Sequence, residues 1–209
     1  MRKLLPIFLC LVLGAWAATA PAHAEPVSIM KLMAPGSLPD MALGQPTAPV
    51  TIVEYASMTC PHCANFDKTV FDTLKTDYVD TGKVYFVFRE YPLDVLAFAA
   101  SMAARCAPKD QFFTIINTLF RSQDNWAFVK DPEPALVAQL KPFGFTEDSF
   151  AACLKKNDIA QGISDTATTA KKEFGVNGTP TLFINGEAHV GEIDVAGLKA
   201  ILDPLLAKN

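Results

Sequence analysis

The chain has 209 residues, of which 50% are apolar, and 18 Lys and Arg stand against 22 Asp and Glu, for a net charge of −4. This composition excludes a low-complexity disordered chain, and the acidic balance excludes a basic surface for nucleic acid. Residues 1–24 have a basic start, an apolar run and a small-residue cleavage site at Ala22-His23-Ala24, which together indicate a secretory signal peptide. We therefore expect an exported, periplasmic protein and, after cleavage, a monomer.

Residues 25–44 are polar and rich in Pro and Met, and we interpret them as an N-terminal arm that ends in a short edge strand. Residues 51–56 combine β-branched and apolar residues, which predicts a buried strand. Residues 61–80 have apolar side chains at helical spacing, and this predicts a helix. A second strand is predicted at residues 83–89, so a strand–helix–strand unit is complete early in the chain.

From residue 94 to residue 174 the sequence shows no strand pattern, and turn residues separate five predicted helices. These helices span residues 95–106, 111–121, 133–141, 147–156 and 158–174. Two short strands at 181–184 and 187–190 then flank Asn185-Gly186, a dipeptide that favours a tight hairpin. A last helix is predicted at residues 195–207.

The order of these elements predicts an α/β fold with an inserted all-helical domain. A crossover between parallel strands needs only about a dozen residues, and the helical block is far longer than that. We expect residues 45–93 and 175–209 to form the α/β domain and residues 94–174 to form the inserted helical domain.

Cys60-Pro61-His62-Cys63 is the most specific motif, because it follows a predicted strand and opens a helix, as a redox C-x-x-C motif does. The free N–H groups and the dipole of a helix N-terminus favour a thiolate at Cys60. Pro61 suits the first helical position, and His62 adds a donor with an ionisable ring. Cys63 lies one turn deeper on the same face. A permanent structural disulfide or half of a zinc site is the alternative, but no second ligand pair has matched spacing, and we expect no metal.

Two further cysteines, Cys106 and Cys153, fall on different helices of the predicted insertion. In an oxidising compartment an even number of cysteines favours disulfides. We therefore expect a structural disulfide between Cys106 and Cys153, with two buried free thiols as the alternative. Cys10 lies inside the signal peptide and would be removed with it.

The first strand, the Cys60–Cys63 motif, the helical insertion and Gly178-Thr179-Pro180 before a strand resemble the DsbA-type thiol:disulfide oxidoreductases of bacterial envelopes. The resemblance implies a thioredoxin fold in which Cys60 attacks, Cys63 resolves the mixed disulfide, and Pro180 is a cis-proline that faces them. It assigns Glu54 to a buried acidic position that assists proton transfer from the second cysteine. From the residues alone, Pro180 could be an ordinary trans proline, and Glu54 could point to solvent.

The same resemblance implies that the protein introduces disulfides into reduced or unfolded exported proteins without a cofactor. A membrane DsbB-like, quinone-linked oxidase would then reoxidise it. The backbone at Thr179 and Pro180 is expected to pair with an extended substrate peptide. Thr179 also resembles the disulfide isomerase branch, so an isomerase or reductase is the alternative. A non-enzymatic chaperone or metal-binding module is a further alternative from a different class.

Overall fold

The computed structural model describes residues 26–208. The expected signal peptide at residues 1–24 lies outside the described residues, as does Cys10. Within the described part of the chain, no helix has both the length and the apolar character that crossing a bilayer requires.

Five strands form one mixed sheet in the order β1-β3-β2-β4-β5. The strands are β1 (Met41–Leu43), β2 (Val50–Ala56), β3 (Val84–Glu90), β4 (Thr181–Ile184) and β5 (Glu187–Val190). β2 and β3 are parallel, and every other neighbouring pair is antiparallel. The turn of the β4–β5 hairpin has positive φ at Asn185 (48°) and Gly186 (90°), the conformation that Asn-Gly favours. The predicted strands and the hairpin are therefore confirmed.

Nine α-helical segments accompany the sheet in residues 26–208. They are α1 (Ile29–Leu32), α2 (Pro61–Phe66), α3 (Asp72–Leu74), α4 (Val95–Cys106), α5 (Phe112–Arg121), α6 (Pro132–Leu140), α7 (Glu147–Leu154), α8 (Asn157–Phe174) and α9 (Val195–Leu206). Helices α4 to α8 lie between β3 and β4 and form the expected helical insertion. Their observed ends, and those of α9, agree with the predicted ends to within two residues.

Two features of the helices differ from the sequence prediction. The helix expected at residues 61–80 is continuous but contains π-helical turns at Asp67–Phe71 and Lys75–Val79, next to α2 and α3. Hydrophobic spacing does not distinguish a π-turn from an α-turn over so short a stretch. Helix α1 lies in the N-terminal arm, where the sequence predicted only a short strand. Leu32 is the only buried residue of this helix, so no apolar period marks it.

The central strand β2 contributes to two apolar cores on opposite faces of the sheet. Ile52 and Ala56 pack in the larger core, beneath α2 and the helical block. Val53 and Tyr55 pack in the smaller core on the other face. Because side chains alternate along a strand, Glu54 lies on the face of Ile52 and Ala56, beneath α2.

The N-terminal arm is bound to the sheet by arginine side chains. Arg89 donates from Nε and Nη2 to the two carboxylate oxygens of Asp40 at 2.9 and 3.0 Å, and from Nη1 to the carbonyl of Leu32 at 2.7 Å. Arg105 donates to the carbonyl of Pro39 at 2.6 Å. The arm is therefore an ordered part of the domain through its contacts with β3 and α4.

A disulfide joins Cys106 at the end of α4 to Cys153 in α7, with an S–S distance of 2.08 Å and a Cα–Cα distance of 6.1 Å. It connects two helices of the insertion. Cys60 and Cys63 are free thiols in the structure.

Candidate active site

The loop after β2 ends at Cys60, which is the N-cap of α2 and has an extended backbone with φ −79° and ψ 119°. Pro61 occupies the first turn, where its missing N–H leaves no helical hydrogen bond unmade. Cys63 follows one turn later and is fully buried, whereas 5% of Cys60 is exposed. The two thiols thus share the N-terminal end of one helix at different depths.

Two residues of the helical insertion hold this loop. Asp94, the N-cap of α4, accepts a hydrogen bond from the Thr59 hydroxyl at 2.5 Å. Gln123, which is 2% exposed, donates from Nε2 to the carbonyls of Met58 at 2.8 Å and Cys60 at 3.0 Å. Sequence reasoning missed Gln123, because the polar run around it has the composition of a solvent-exposed turn.

The two thiols have opposite acidities. The pKa of Cys60 is lowered from 9.0 to about 5, first by a hydrogen bond from the Cys63 thiol. Burial opposes this effect, while the Thr179 side chain and the backbone N–H groups of Cys63 and His62 lower the pKa further. The pKa of Cys63 is raised well above its ordinary value by burial and by its hydrogen bond to Cys60. Cys60 can therefore be a thiolate at neutral pH while Cys63 keeps its proton.

The His62 imidazole has a partner that the sequence did not reveal. The backbone N–H of His62 is among the groups that lower the pKa of Cys60, but its imidazole Nδ1 lies 2.6 Å from Oε1 of Glu192. That hydrogen bond and the charge of Glu192 raise the pKa of His62. Sequence reasoning did not identify Glu192, which is far from the motif in the chain.

Thr179 and Pro180 lie against Cys60. The peptide bond between them is cis, and Sγ of Cys60 is 3.2 Å from the carbonyl oxygen of Thr179. The N–H of Gly191 donates to the carbonyl of Pro180 at 2.9 Å, which holds the end of β5 beside this segment. The Thr179 hydroxyl is buried, and the Thr179 side chain is one of the groups that lower the pKa of Cys60.

Glu54 is a buried carboxyl under the redox motif. It is 3% exposed, its Oε1 has no hydrogen-bond partner within residues 26–208, and its pKa is raised to about 8 by burial and then by the charges of Asp67 and Cys60. A carboxyl that titrates near neutral pH can exchange protons with a neighbouring thiol. The structure therefore brings Glu54 and both cysteines into one electrostatic unit.

Asp67 is a second buried acid that sequence reasoning missed. Burial raises its pKa to about 6, against the opposing hydrogen bond and charge of Arg121, whose Nε lies 2.9 Å from Asp67 Oδ1. Asp67 lies four residues after Cys63, on the helix face that the cysteines share. An aspartate on that otherwise apolar face is the pattern by which the sequence could have revealed it.

Three exposed apolar side chains lie on chain segments next to the motif. Leu93 is 56% exposed, and its N–H donates to the Ser57 hydroxyl at 3.2 Å, just before the motif. Val95 is 85% exposed and Val190 is 63% exposed, and Val190 pairs with Thr181 immediately after the cis-proline. These residues give the surface near Cys60 an apolar character.

In residues 26–208, no group of three or more His, Cys, Asp or Glu side chains is arranged to hold a metal ion.

The acidity of Cys60 predicts how stability depends on redox state. Closing so short a loop with a disulfide stabilises by about 2 kcal/mol. The native protein releases the Cys60 proton above pH 5 while the unfolded chain keeps it to about pH 9, so the reduced form gains up to about 1.4 kcal/mol per pH unit in that window. We expect the oxidised form to be more stable at pH 5 and the reduced form at pH 8. Denaturant unfolding of both forms measures this, and an oxidised form that stays the more stable at pH 8 would contradict it.

A family model described as thioredoxin matches residues 37–204, and the chain belongs to this family. A Rickettsia conorii protein named as a protein-disulfide oxidoreductase is 33% identical over 172 residues, which are 81% of this chain and 61% of that protein. A Bacillus cereus protein named disulfide bond formation protein D is 30% identical over 175 residues, or 80% of this chain and 79% of that protein. The chain spans between 54% and 66% of the length of the Rickettsia relatives that it matches.

Solved structures support the same relationship. The crystal structure of alpha-DsbA1 from Wolbachia pipientis has a TM-score of 0.77 and 30% identity, covering 85% of this chain and 96% of that one. A structure described as a protein-disulfide isomerase from Novosphingobium aromaticivorans has a TM-score of 0.69 and 26% identity, covering 80% of this chain and 99% of that one. The fold is therefore a thioredoxin fold with an inserted helical domain, as the sequence predicts.

Proposed function

We propose that this protein is a thiol:disulfide oxidoreductase that introduces disulfides into reduced or unfolded exported proteins through Cys60 and Cys63. One observation carries the proposal. Two cysteines one helical turn apart have opposite acidities, because Cys60 is stabilised as a thiolate and Cys63 as a thiol. A cysteine with a low pKa is a good leaving group in thiol–disulfide exchange, so this pair favours giving its disulfide away.

The chemistry follows from the positions of the two sulfurs. In the oxidised protein a substrate thiolate attacks Sγ of Cys60, a mixed disulfide forms, and the Cys60–Cys63 bond breaks. A second substrate thiolate then attacks the substrate sulfur of the mixed disulfide and releases Cys60 as a thiolate. Cys63 takes up a proton in the first step. Glu54 interacts electrostatically with both cysteines and can supply that proton, or receive it when the step is reversed.

Substrate would bind where the structure leaves apolar surface and backbone beside Cys60. The Thr179–Pro180 segment lies against the sulfur, and we assign it the backbone contact with an extended peptide. Leu93, Val95 and Val190 would contact apolar side chains of an unfolded substrate. The resemblance to DsbA-type proteins implies that this protein acts in the periplasm after removal of residues 1–24. It also implies that a membrane DsbB-like oxidase restores the Cys60–Cys63 disulfide.

The test is oxidation of a reduced, unfolded two-cysteine protein with glutathione disulfide as terminal oxidant. The native chain should accelerate disulfide formation, and Cys60→Ser should reduce the acceleration to the background rate. Cys63→Ser is the matched control, because it keeps the attacking thiol and should accumulate a mixed disulfide with substrate. Full acceleration by Cys60→Ser would overturn the proposal and favour a non-enzymatic chaperone.

A disulfide isomerase or reductase is the second candidate, because Thr179 precedes the cis-proline and places a buried hydroxyl there. The same assay separates the two. A scrambled substrate that already contains the wrong disulfides should be refolded no faster than by glutathione alone if the protein is an oxidase. Strong acceleration with scrambled substrate, and weak acceleration with reduced substrate, would favour the isomerase.

A further inference from the structure

His62 and Glu192 form an ion pair at the edge of the redox motif. Nδ1 of His62 lies 2.6 Å from Oε1 of Glu192, and the two side chains are 63% and 50% exposed. The residues are 130 positions apart in the chain, so the contact exists only because the fold places the start of α2 beside the loop before α9. The exchange steps proposed above give Glu192 no role.

The backbone on both sides of Glu192 is held in place. The preceding residue, Gly191, donates its N–H to the carbonyl of Pro180 at 2.9 Å, and its φ of 90° is a conformation that glycine adopts readily. Asp194 caps α9 by accepting from the N–H of Gly197 at 2.7 Å. Glu192 is thus presented to His62 between the cis-proline segment and the start of a helix.

We propose that Glu192 is a positioning residue of the redox centre: its carboxylate holds the imidazole of His62 at the N-terminus of α2 and so controls how the redox equilibrium of Cys60 and Cys63 depends on pH. This inference rests on the redox role proposed for the two cysteines. It concerns a residue that acts through His62 and does not itself touch the sulfur.

Two charged groups act on the His62 ring. The Glu192 carboxylate, from the loop before α9, raises the pKa of His62 by hydrogen bond and charge, and the Cys60 sulfur, from the N-cap of α2, raises it further by charge. Asp194, on the same loop, is engaged with the first turn of α9. Glu192 therefore does two things: it keeps His62 protonated to higher pH, and it offsets the positive charge that His62 presents to the thiolate.

The equilibrium in question is reduction of the Cys60–Cys63 disulfide by glutathione. Two glutathione thiols supply two electrons, glutathione disulfide forms, one proton goes to Cys63, and the other is released as Cys60 remains a thiolate. A positive charge on His62 favours this thiolate and hence the reduced protein. If the pKa of His62 changes, the pH at which this positive charge is lost changes too, and the pH dependence of the redox equilibrium must change with it.

Glu192→Gln is the decisive variant, because it removes the carboxylate charge and keeps the shape of the side chain. Below pH 6 its His62 stays protonated with no offsetting charge, so the equilibrium constant for reduction should rise by about two- to five-fold, the range that exposed charge pairs reach. That gain should shrink as pH rises through the ordinary His62 value of 6.5, where the variant loses the charge before the native protein does. Glutathione equilibria from pH 5.5 to 8 measure both effects.

Three companions sharpen the test. Nuclear magnetic resonance of the His62 ring should show its titration midpoint falling in Glu192→Gln and returning toward the native value in Glu192→Asp, which keeps the charge. In His62→Gln, the further change Glu192→Gln should no longer introduce a step near pH 6.5. A purely structural role for Glu192 would move stability without moving these profiles.

An unchanged His62 midpoint in Glu192→Gln, or a reduction profile parallel to the native one from pH 5.5 to 8, would overturn the inference. Failure of the proposed function is distinguishable, because then the native chain itself would not equilibrate Cys60 and Cys63 with glutathione. In that case the ring titration of His62 still decides whether Glu192 holds and charges the imidazole.

Discussion

Replacing Glu54 with glutamine is expected to stabilise the protein at pH 7 by up to about 3 kcal/mol. The native Glu54 has a pKa of about 8, against an ordinary value of 4.5. Between these values the folded protein holds a proton that the unfolded chain releases, so the contribution of Glu54 to native stability is highest below pH 4.5 and falls until pH 8. Glu54→Gln removes this dependence. Denaturant unfolding of both proteins at several pH values from 4.5 to 8 measures the difference, which should vanish near pH 4.5.

The same substitution should slow catalysis, because a general acid contributes roughly 10²-fold or more to a proton transfer. We expect transfer of the disulfide to substrate, the step in which Cys63 takes up a proton, to be at least about 10²-fold slower in Glu54→Gln at pH 7. Glu173→Gln on α8 is a matched control, since Glu173 is half-exposed and paired with Lys31, and it should leave both the pH slope and the rate unchanged. A Glu54→Gln protein whose stability parallels the native pH profile would contradict the assigned protonation of Glu54.

Local patterns in the sequence predicted most of the secondary structure. The run at residues 51–56, the Asn185-Gly186 turn and the turn residues between the inserted helices each act through neighbours in the chain. Pro61 and Cys60 belong to the same class, because a helix start is set by a few consecutive residues. These features could be predicted because the physics that fixes them is short-ranged.

The features that were missed depend on contacts between distant residues. Gln123 binds the carbonyl of Cys60 across 63 positions, and Glu192 binds His62 across 130. Neither contact leaves a period or a spacing in the sequence. Asp67 is different, because it lies on the apolar face of a helix that the sequence predicted. Its burial could therefore have been recognised from the sequence. The acidity of Cys60 was predicted in direction, while its first cause, the Cys63 thiol, required the relative depth of the two sulfurs.

Arg105→Met is expected to lower the free energy of unfolding by about 3–5 kcal/mol. Arg105 in α4 donates from Nη2 to Oε2 of Glu90 at 2.8 Å and pairs through Nε with Oε1, and the side chains are only 7% and 0% exposed. Removing the arginine leaves the Glu90 charge buried without a partner, which costs far more than an exposed pair contributes. Denaturant unfolding at pH 7 measures the loss.

The double variant Arg105→Met with Glu90→Leu shows whether the loss comes from the stranded charge. If it does, the double variant should recover most of the stability, because replacing both members of a buried pair with apolar groups is often close to neutral. Additive losses would instead mean that Arg105 acts mainly by packing, and would contradict the electrostatic explanation. Arg105 also donates to the carbonyl of Pro39, so both variants should exchange amide hydrogens faster in the N-terminal arm. Gln123 donates to the carbonyl of Cys60, and Asp94 holds Thr59 beside it, so neither substitution touches the redox motif. Because the pKa of Cys60 is low and that of Cys63 is raised, alkylation near pH 6 should still label Cys60 before Cys63 in the folded double variant.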